Sequence, residues 1–263
     1  MQPPFDLTGK TIFISGATGH LGQHMARSVA ASGGNVLVNG RNAAKCEALC
    51  EELRGDGQKA ETAIFDITDS EATGHWFQNY SDKALDGLVN NAYAGGGGTI
   101  ETAQDEEYQS AYNSAVISAQ RLIRFALPAL RKAKHDHGDA SIVNIISMYG
   151  LVSPNPANYS QPQATNPPFY GAAKAALAQF TRYSACEFGA EGLRTNAVAP
   201  GPFPAPNVCA EQPEFIEKLK QSVPMKRIGQ GHEIGGPVTF LLSPAASYVN
   251  GATLTVDGGW TSW

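Results

Sequence analysis

Tyr170-Gly-Ala-Ala-Lys174 sets a phenol and an ammonium four residues apart, a spacing that brings both to one face of a helix. An isolated phenol has a pKa near ~10 and keeps its proton at neutral pH, but a neighbouring positive charge stabilises the phenolate. Lys174 is placed to supply that charge and to lower the tyrosine pKa, which makes the pair an acid and base for carbonyl chemistry. Tyrosine and lysine are common on helix surfaces, so the pair gains meaning from its setting. A glycine-rich turn at Gly16, Gly19 and Gly22 follows the apolar stretch Thr11 to Ser15, and Ser147 closes a second apolar run, Ile142 to Ile146.

The elements that would carry these residues alternate. Short β-type runs at Thr11 to Ser15, Asn35 to Asn39, Ala60 to Phe65 and Leu85 to Val89 are separated by longer segments of helical periodicity, the pattern of βαβ units. Further strands are expected at Ser141 to Ser147, Thr195 to Val198 and Thr253 to Val256. The fold class is therefore α/β: a single-domain Rossmann fold spanning residues 1–263, with a doubly wound parallel sheet of about seven strands and helices on both faces. A long helical stretch from about Glu107 to Lys134 carries too many apolar residues for one narrow stripe and is expected to be buried on more than one side. Between Leu151 and Phe169 five prolines exclude a regular helix or strand, and this segment is read as an active-site loop.

Bulk properties narrow the partners. With 19 basic and 24 acidic residues, a net charge of -5 argues against a dedicated nucleic-acid binder or a basic membrane-surface protein and leaves a small-molecule substrate. The cysteines at 46, 50, 186 and 209 form no C-x-x-C pair and are read as reduced thiols; no metal is expected. No basic region leads into an apolar core at the start of the chain, and no stretch is apolar for long enough to span a bilayer, so a soluble cytoplasmic protein is expected.

Taken together, the turn, the Tyr/Lys pair, Asp66-Ile67-Thr68, Asn90-Asn91-Ala92, Asn113, the Ile142–Ser147 run, Asn196-Ala197-Val198-Ala199-Pro200-Gly201 and the terminal Val256-Asp257-Gly258-Gly259 resemble the short-chain dehydrogenase/reductase family, in the family's order. The resemblance implies a catalytic tetrad of Asn113, Ser147, Tyr170 and Lys174. Tyr170 would exchange a proton with the substrate oxygen, Ser147 would hydrogen-bond that oxygen, Lys174 would also bind the nicotinamide ribose, and Asn113 would hold a water leading to solvent. The helix from about Glu107 and the Tyr/Lys helix form subunit contacts in this family, which implies a homodimer or homotetramer.

The same resemblance assigns the cofactor residues. Gly16, Thr18, Gly19, His20, Leu21 and Gly22 would form the turn whose backbone N–H groups hold a pyrophosphate. Its G-x-x-G-x-x-G spacing departs from the family's commonest subgroup, and His20 stands where that subgroup has its middle glycine. Asp66 and Ile67 would meet the adenine, Asn90 and Ala92 the adenosine ribose, and Pro200 and Gly201 would close over the nicotinamide. Tyr93 replaces the glycine that normally follows Asn-Asn-Ala, with Gly95 to Gly98 able to give it room. After Gly201 the run Pro202-Phe203-Pro204-Ala205 lacks the usual hydroxyl residue. At the end of the second strand, Gly40 stands where NAD-dependent relatives place an aspartate, and Arg41 comes next, suited to a 2′-phosphate. NADP(H) is the preferred cofactor and NAD(H) the alternative.

Ser147 and Tyr170 lie 23 positions apart, against about a dozen in the commonest members, so the loop at 151–169 adds polar material at the substrate mouth, with a second substrate-side segment at 202–225. A sugar, sugar-acid or polyol-like substrate is favoured. The alternatives are a 3-oxoacyl thioester reductase, for which Arg121, Arg124, Arg131, Lys132 and Lys134 would form the carrier-binding patch, and a catalytically silent dinucleotide-binding regulatory protein.

Overall fold

The computed structural model describes residues 3–263. Strand β1 (Thr11–Ile14) leads into helix α1 (Gly22–Ala31), followed by β2 (Asn35–Gly40), α2 (Ala43–Gly55), β3 (Ala60–Ile64), α3 (Ser70–Gln78) and β4 (Gly87–Asn90). Helices α4 (Asp105–Tyr112) and α5 (Ser118–His137) precede β5 (Ala140–Ile145); α6 (Pro168–Phe188) precedes β6 (Leu193–Pro200). The chain closes through α7 (Pro206–Glu211), α8 (Pro213–Ser222), α9 (Gly235–Leu242) and β7 (Thr253–Val256). All seven strands are parallel, in the order β3-β2-β1-β4-β5-β6-β7.

Strand alternation divides the core in two. Ile12 and Ile14 of β1 face one layer with Met25, Val29, Val238 and Leu241, while Phe13 between them faces the other with Leu122, Ile123 and Leu130. Parallel strands covered on both faces lose the polar alternation of a half-exposed sheet, and every residue of β4, β5 and β6 is buried. Caps set several helix starts: the Asn42 side chain accepts the Lys45 N–H at α2, and the Asp69 carboxylate accepts those of Glu71 and Ala72 at α3.

Three expectations need correction. The fourth strand begins at Gly87 rather than Leu85, whose N–H is taken by the Ala129 carbonyl of α5 at 3.1 Å. The long helix is not continuous α: a π turn, Asn113–Ile117, joins α4 to α5, and the helix runs on to His137, where Gly138 stops it with φ of 81°. In the proline-rich segment the backbone forms single 3-10 turns at Pro156–Asn158 and Pro162–Ala164, but its last residues, Pro168 and Phe169, already belong to α6. A proline in the first helical turn removes no intrahelical bond, so it marks the helix start instead of forbidding it.

Phe13 is fully buried, with Phe65, Trp76 and Phe77 at centroid distances of 5.9, 5.4 and 5.5 Å. Phe13→Ala should cost about 3–5 kcal/mol in urea unfolding, and a loss well below 1 kcal/mol would contradict this packing.

Candidate active site

A cleft of about 470 Å³ opens along the carboxyl ends of the strands, at the switch point between the neighbouring β1 and β4, where the chain crosses from β3 to begin the other half of the sheet. Each crossing strand contributes: Gly16 to Gly22 after β1, Gly40 and Arg41 from the end of β2, Phe65 to Thr68 after β3, Asn91 to Ala94 after β4, Ile145 to Ser147 from β5, and Pro200, Gly201 and Phe203 from β6. Gly16 turns with φ of 61°, and a Cβ on Gly22 would strike the Gly16 carbonyl and come within 2.9 Å of Ala17 Cα. The turn is thus folded so tightly that only hydrogen fits. Leu21 gives α1 no side-chain cap, and its first turn has no acidic residue, leaving N–H groups at the cleft for an anion. These features fit the pyrophosphate of a dinucleotide.

At the adenosine end, a Cβ on Gly40 would lie 2.9 Å from Cys46 Sγ and 3.3 Å from Thr18 Oγ1, so the place of the ribose-binding aspartate is closed to a side chain unless its neighbours move. Arg41 is largely exposed and pairs with Asp66 at 3.5 Å. Burial works against the Asp66 carboxylate, yet the Thr68 N–H and hydroxyl, at 2.9 and 2.7 Å, together with Arg41 hold its pKa below the ordinary value.

At the other end Ser147, Tyr170 and Lys174 share the cleft wall. Lys174 is buried, its Nζ donating to the Ile145 carbonyl at 2.8 Å and standing 5.8 Å from the centre of the Tyr170 ring. Desolvation pushes the Lys174 pKa down to about 8. Spacing alone predicts that Lys174 lowers the phenol's pKa; in the structure burial raises it, and the Ser147 hydroxyl is what opposes that rise. The ammonium spends its hydrogen bond on β5 instead of on the phenol.

Of the other sequence-predicted residues, Gly16, Thr18, Gly19, His20, Leu21, Gly22, Arg41, Asp66, Ile67, Ala92, Pro200 and Gly201 line the cleft. Asn90 and Asn113 stand behind the lining. The Asn90 amide donates to Asn144 at 2.8 Å beneath the floor, and Asn113 opens the π turn, its carbonyl accepting the Ser118 hydroxyl at 2.7 Å, while Ser114 beside it lines the cleft.

The residue whose part sequence reasoning underestimated is Tyr93. Its ring stands edge-on to Tyr170 at 5.0 Å and carries the Lys174 ammonium over its face at 5.2 Å. Burial pushes its pKa up to about 12, and its hydroxyl has no hydrogen-bond partner among the described residues. A Cβ on Gly95 would lie 2.7 Å from the ring carbons Cε1 and Cζ, so Gly95 does provide the room that Tyr93 requires. The bulky substitution beside Gly95 is visible in the sequence; the contact of its ring with Tyr170 and Lys174 is not.

The proline-rich segment rests on α8: Ser222 donates to Asn158 Oδ1 at 3.1 Å, and the Tyr159 ring lies 5.3 Å from that of Phe215. Tyr159 also exchanges a hydrogen bond with Tyr149 at 2.9 Å, next to Ser147. Among the described residues no cluster of His, Cys, Asp or Glu is arranged to hold a metal, and no helix is long and apolar enough to cross a membrane.

The depressed Lys174 pKa carries a stability consequence. Between about 8 and its unfolded value of 10.5 the unfolded chain binds a proton that the folded chain has released, so folding gains free energy as pH rises through this window. Relative to Lys174→Met, wild-type stability in urea should rise by on the order of 3 kcal/mol across it. A flat difference would contradict the burial of a titrating lysine.

Residues 16–261 match a family model described as enoyl-(acyl carrier protein) reductase. The chain is 32% identical to gluconate 5-dehydrogenase of Gluconobacter oxydans (strain 621H), covering 98% of this chain and 96% of that protein. It is 33% identical to galactitol 2-dehydrogenase (L-tagatose-forming) of Cereibacter sphaeroides, with 98% of each chain covered. It is also 34% identical to a 3-oxoacyl-(acyl-carrier-protein) reductase of Pseudomonas aeruginosa, over 96% of this chain and 98% of that one. Among solved structures, the gluconate 5-dehydrogenase of Burkholderia cenocepacia J2315 in complex with NADP and tartrate superposes with a TM-score of 0.87 at 26% identity, over 99% and 98% of the chains. The Pseudomonas aeruginosa RhlG/NADP active-site complex gives 0.88 at 28% identity, over 99% and 100%. With its seven-stranded parallel sheet and glycine-turn cleft, the chain belongs to the short-chain dehydrogenase/reductase family, oxidoreductases that act on CH–OH groups with NAD(P).

Proposed function

We propose that this protein is an NADP(H)-dependent oxidoreductase that interconverts a carbonyl and a secondary alcohol on a polar sugar, sugar-acid or polyol-like substrate. The observation that carries the reading is the convergence of Ser147, Tyr170 and Lys174 on one wall of the cleft that the glycine turn opens. A bound nicotinamide supplies or accepts the hydride. The chain's residues handle the proton: Tyr170 gives it to the substrate oxygen in reduction and takes it back in oxidation. Ser147 hydrogen-bonds the same oxygen, and Lys174 binds the nicotinamide ribose and contributes positive charge. Asn113 acts one layer back, at the π turn, where its neighbourhood would guide water toward Lys174.

Gly16, Thr18, Gly19, His20, Leu21 and Gly22 would hold the pyrophosphate, Asp66, Ile67 and Ala92 the adenosine, and Pro200 and Gly201 the nicotinamide, with Asn90 stiffening the floor. The preference for NADP(H) is supported by Gly40, where a side chain would crowd Cys46 and Thr18, and by the exposed Arg41 guanidinium, which is free to exchange Asp66 for a 2′-phosphate. Two neighbours solved with NADP support the same choice, and relatives named for gluconate and galactitol support the sugar-acid or polyol substrate. The segments 151–169 and 202–225, which clasp each other beside Tyr149, would shape the substrate mouth. Exposed apolar side chains on the long helices, Ile117 and Tyr183, favour a homo-oligomer.

The 3-oxoacyl thioester reading keeps the support of the 34% identity to the Pseudomonas aeruginosa enzyme. Its expected basic patch is largely engaged. Arg131 pairs with Glu191 at 2.6 Å and Lys132 with Asp136 at 2.9 Å, while Arg121 and Lys134 donate to main-chain carbonyls at 2.7 and 2.6 Å.

Tyr170→Phe removes the proton donor with little loss of volume. Its turnover on whichever carbonyl substrate an NADPH-coupled panel identifies should fall by roughly 10²–10⁴-fold with NADPH binding kept; near wild-type turnover would refute the assignment. Arg41→Ala should lower kcat/KM for NADPH at least tenfold more than for NADH, as loss of a charge-assisted contact of about 1.5–3 kcal/mol requires. Equal losses would remove the argument for NADP(H).

A further inference from the structure

Two departures from the family pattern, His20 in place of the middle glycine and Phe203 in the run that lacks the usual hydroxyl, meet in space. His20 Nε2 lies 3.1 Å from the Phe203 carbonyl, across 183 residues of sequence. A carbonyl only accepts, so Nε2 carries the proton and donates it. We propose that His20 is a positioning residue that holds the segment after β6 over the dinucleotide and so sets the rate at which the cofactor leaves. The proposal rests on the cofactor reading above.

The topology says what this bond must cross. His20 lies just past β1 and Phe203 just past β6, and β4 and β5 lie between those strands. At about 4.8 Å per strand the two loops start about 14 Å apart, so a direct contact between them has to arch over the strand ends that floor the cleft. Both residues line that cleft.

The far side of the arch is already fixed. Gly201 N–H donates to Val256 at 3.0 Å, Gly229 N–H donates to Pro202 at 3.0 Å, and a Cβ on Gly229 would lie 2.6 Å from Phe203 Cζ. The near side is braced as well. The His20 ring stands edge-on to His24 at 6.3 Å, and His24 lies so close to Gly231 that any side chain there would strike its ring. The histidine therefore joins two anchored pieces of backbone through one side-chain bond. In the family's usual arrangement a glycine at this place reaches nothing, and a hydroxyl from the later segment contacts the cofactor directly. Here the chain replaces that ligand contact with a contact between its own two rims.

The test uses the full chain and two variants, His20→Gly and His20→Gln, the second keeping an N–H donor. Hydrogen exchange of the free protein over residues 201–209 should quicken about fivefold in His20→Gly, the equivalent of one ordinary hydrogen bond, and stay within about twofold in His20→Gln. NADPH release, followed by stopped-flow fluorescence, should show the same pattern. Unchanged exchange and release in His20→Gly would overturn the role of the histidine while leaving the cofactor reading intact. A wild-type chain that fails to bind NADPH would overturn both.

Discussion

An ammonium and a phenol cannot both be enclosed in a protein without cost, and this fold encloses Lys174 and Tyr170 side by side. Desolvation drives each toward its neutral form, the lysine down to about 8 and the tyrosine above its usual value. The surroundings make the arrangement tenable. The last carbonyl of β5 takes the lysine's hydrogen bond, the face of Tyr93 takes its charge, and the Ser147 hydroxyl relieves the phenol. Rigid, fully buried central strands are what keep these few groups in register, because a carbonyl at a strand end cannot follow a wandering side chain.

The consequence is an acid whose strength depends on what else enters the cleft. With Lys174 tied to Ile145, burial keeps the phenol protonated, which is the form needed to donate a proton to a substrate oxygen. Positive charge brought close, from the lysine drawn off its carbonyl or from an oxidised nicotinamide, shifts the phenol the other way. Aspects of the cleft far from the pair serve the same end: the tight turn at Gly16 and Gly22 and the uncapped start of α1 offer an anion site suited to a dinucleotide's pyrophosphate.

Much of this was legible in the residues because it rests on local rules. Apolar runs bounded by turns located the strands, six of them displaced by one or two residues at an end, and the residues just past each strand marked out the cleft. The remainder depended on partners distant in sequence. Nothing in the spacing of Tyr170 and Lys174 reveals that Ile145 captures the amine, so the direction of the phenol's shift was misread. The π turn at Asn113 is invisible to a periodicity of 3.6, and so is the bond from Asn90 to Asn144, 54 positions away. The departures at His20 and Phe203 are 183 positions apart in the sequence. In three dimensions Tyr93 is received by Gly95, and His20 reaches Phe203.

The most direct measurement is the ionisation of Tyr170 itself, taken as the near-ultraviolet phenolate absorbance that wild type shows and Tyr170→Phe lacks, titrated with and without saturating NADP+. Tyr170 should ionise above the ordinary value of about 10 in the free protein and at a clearly lower pH once NADP+ is bound. Ionisation at an ordinary pH in the free protein, or at the same pH in both titrations, would contradict it.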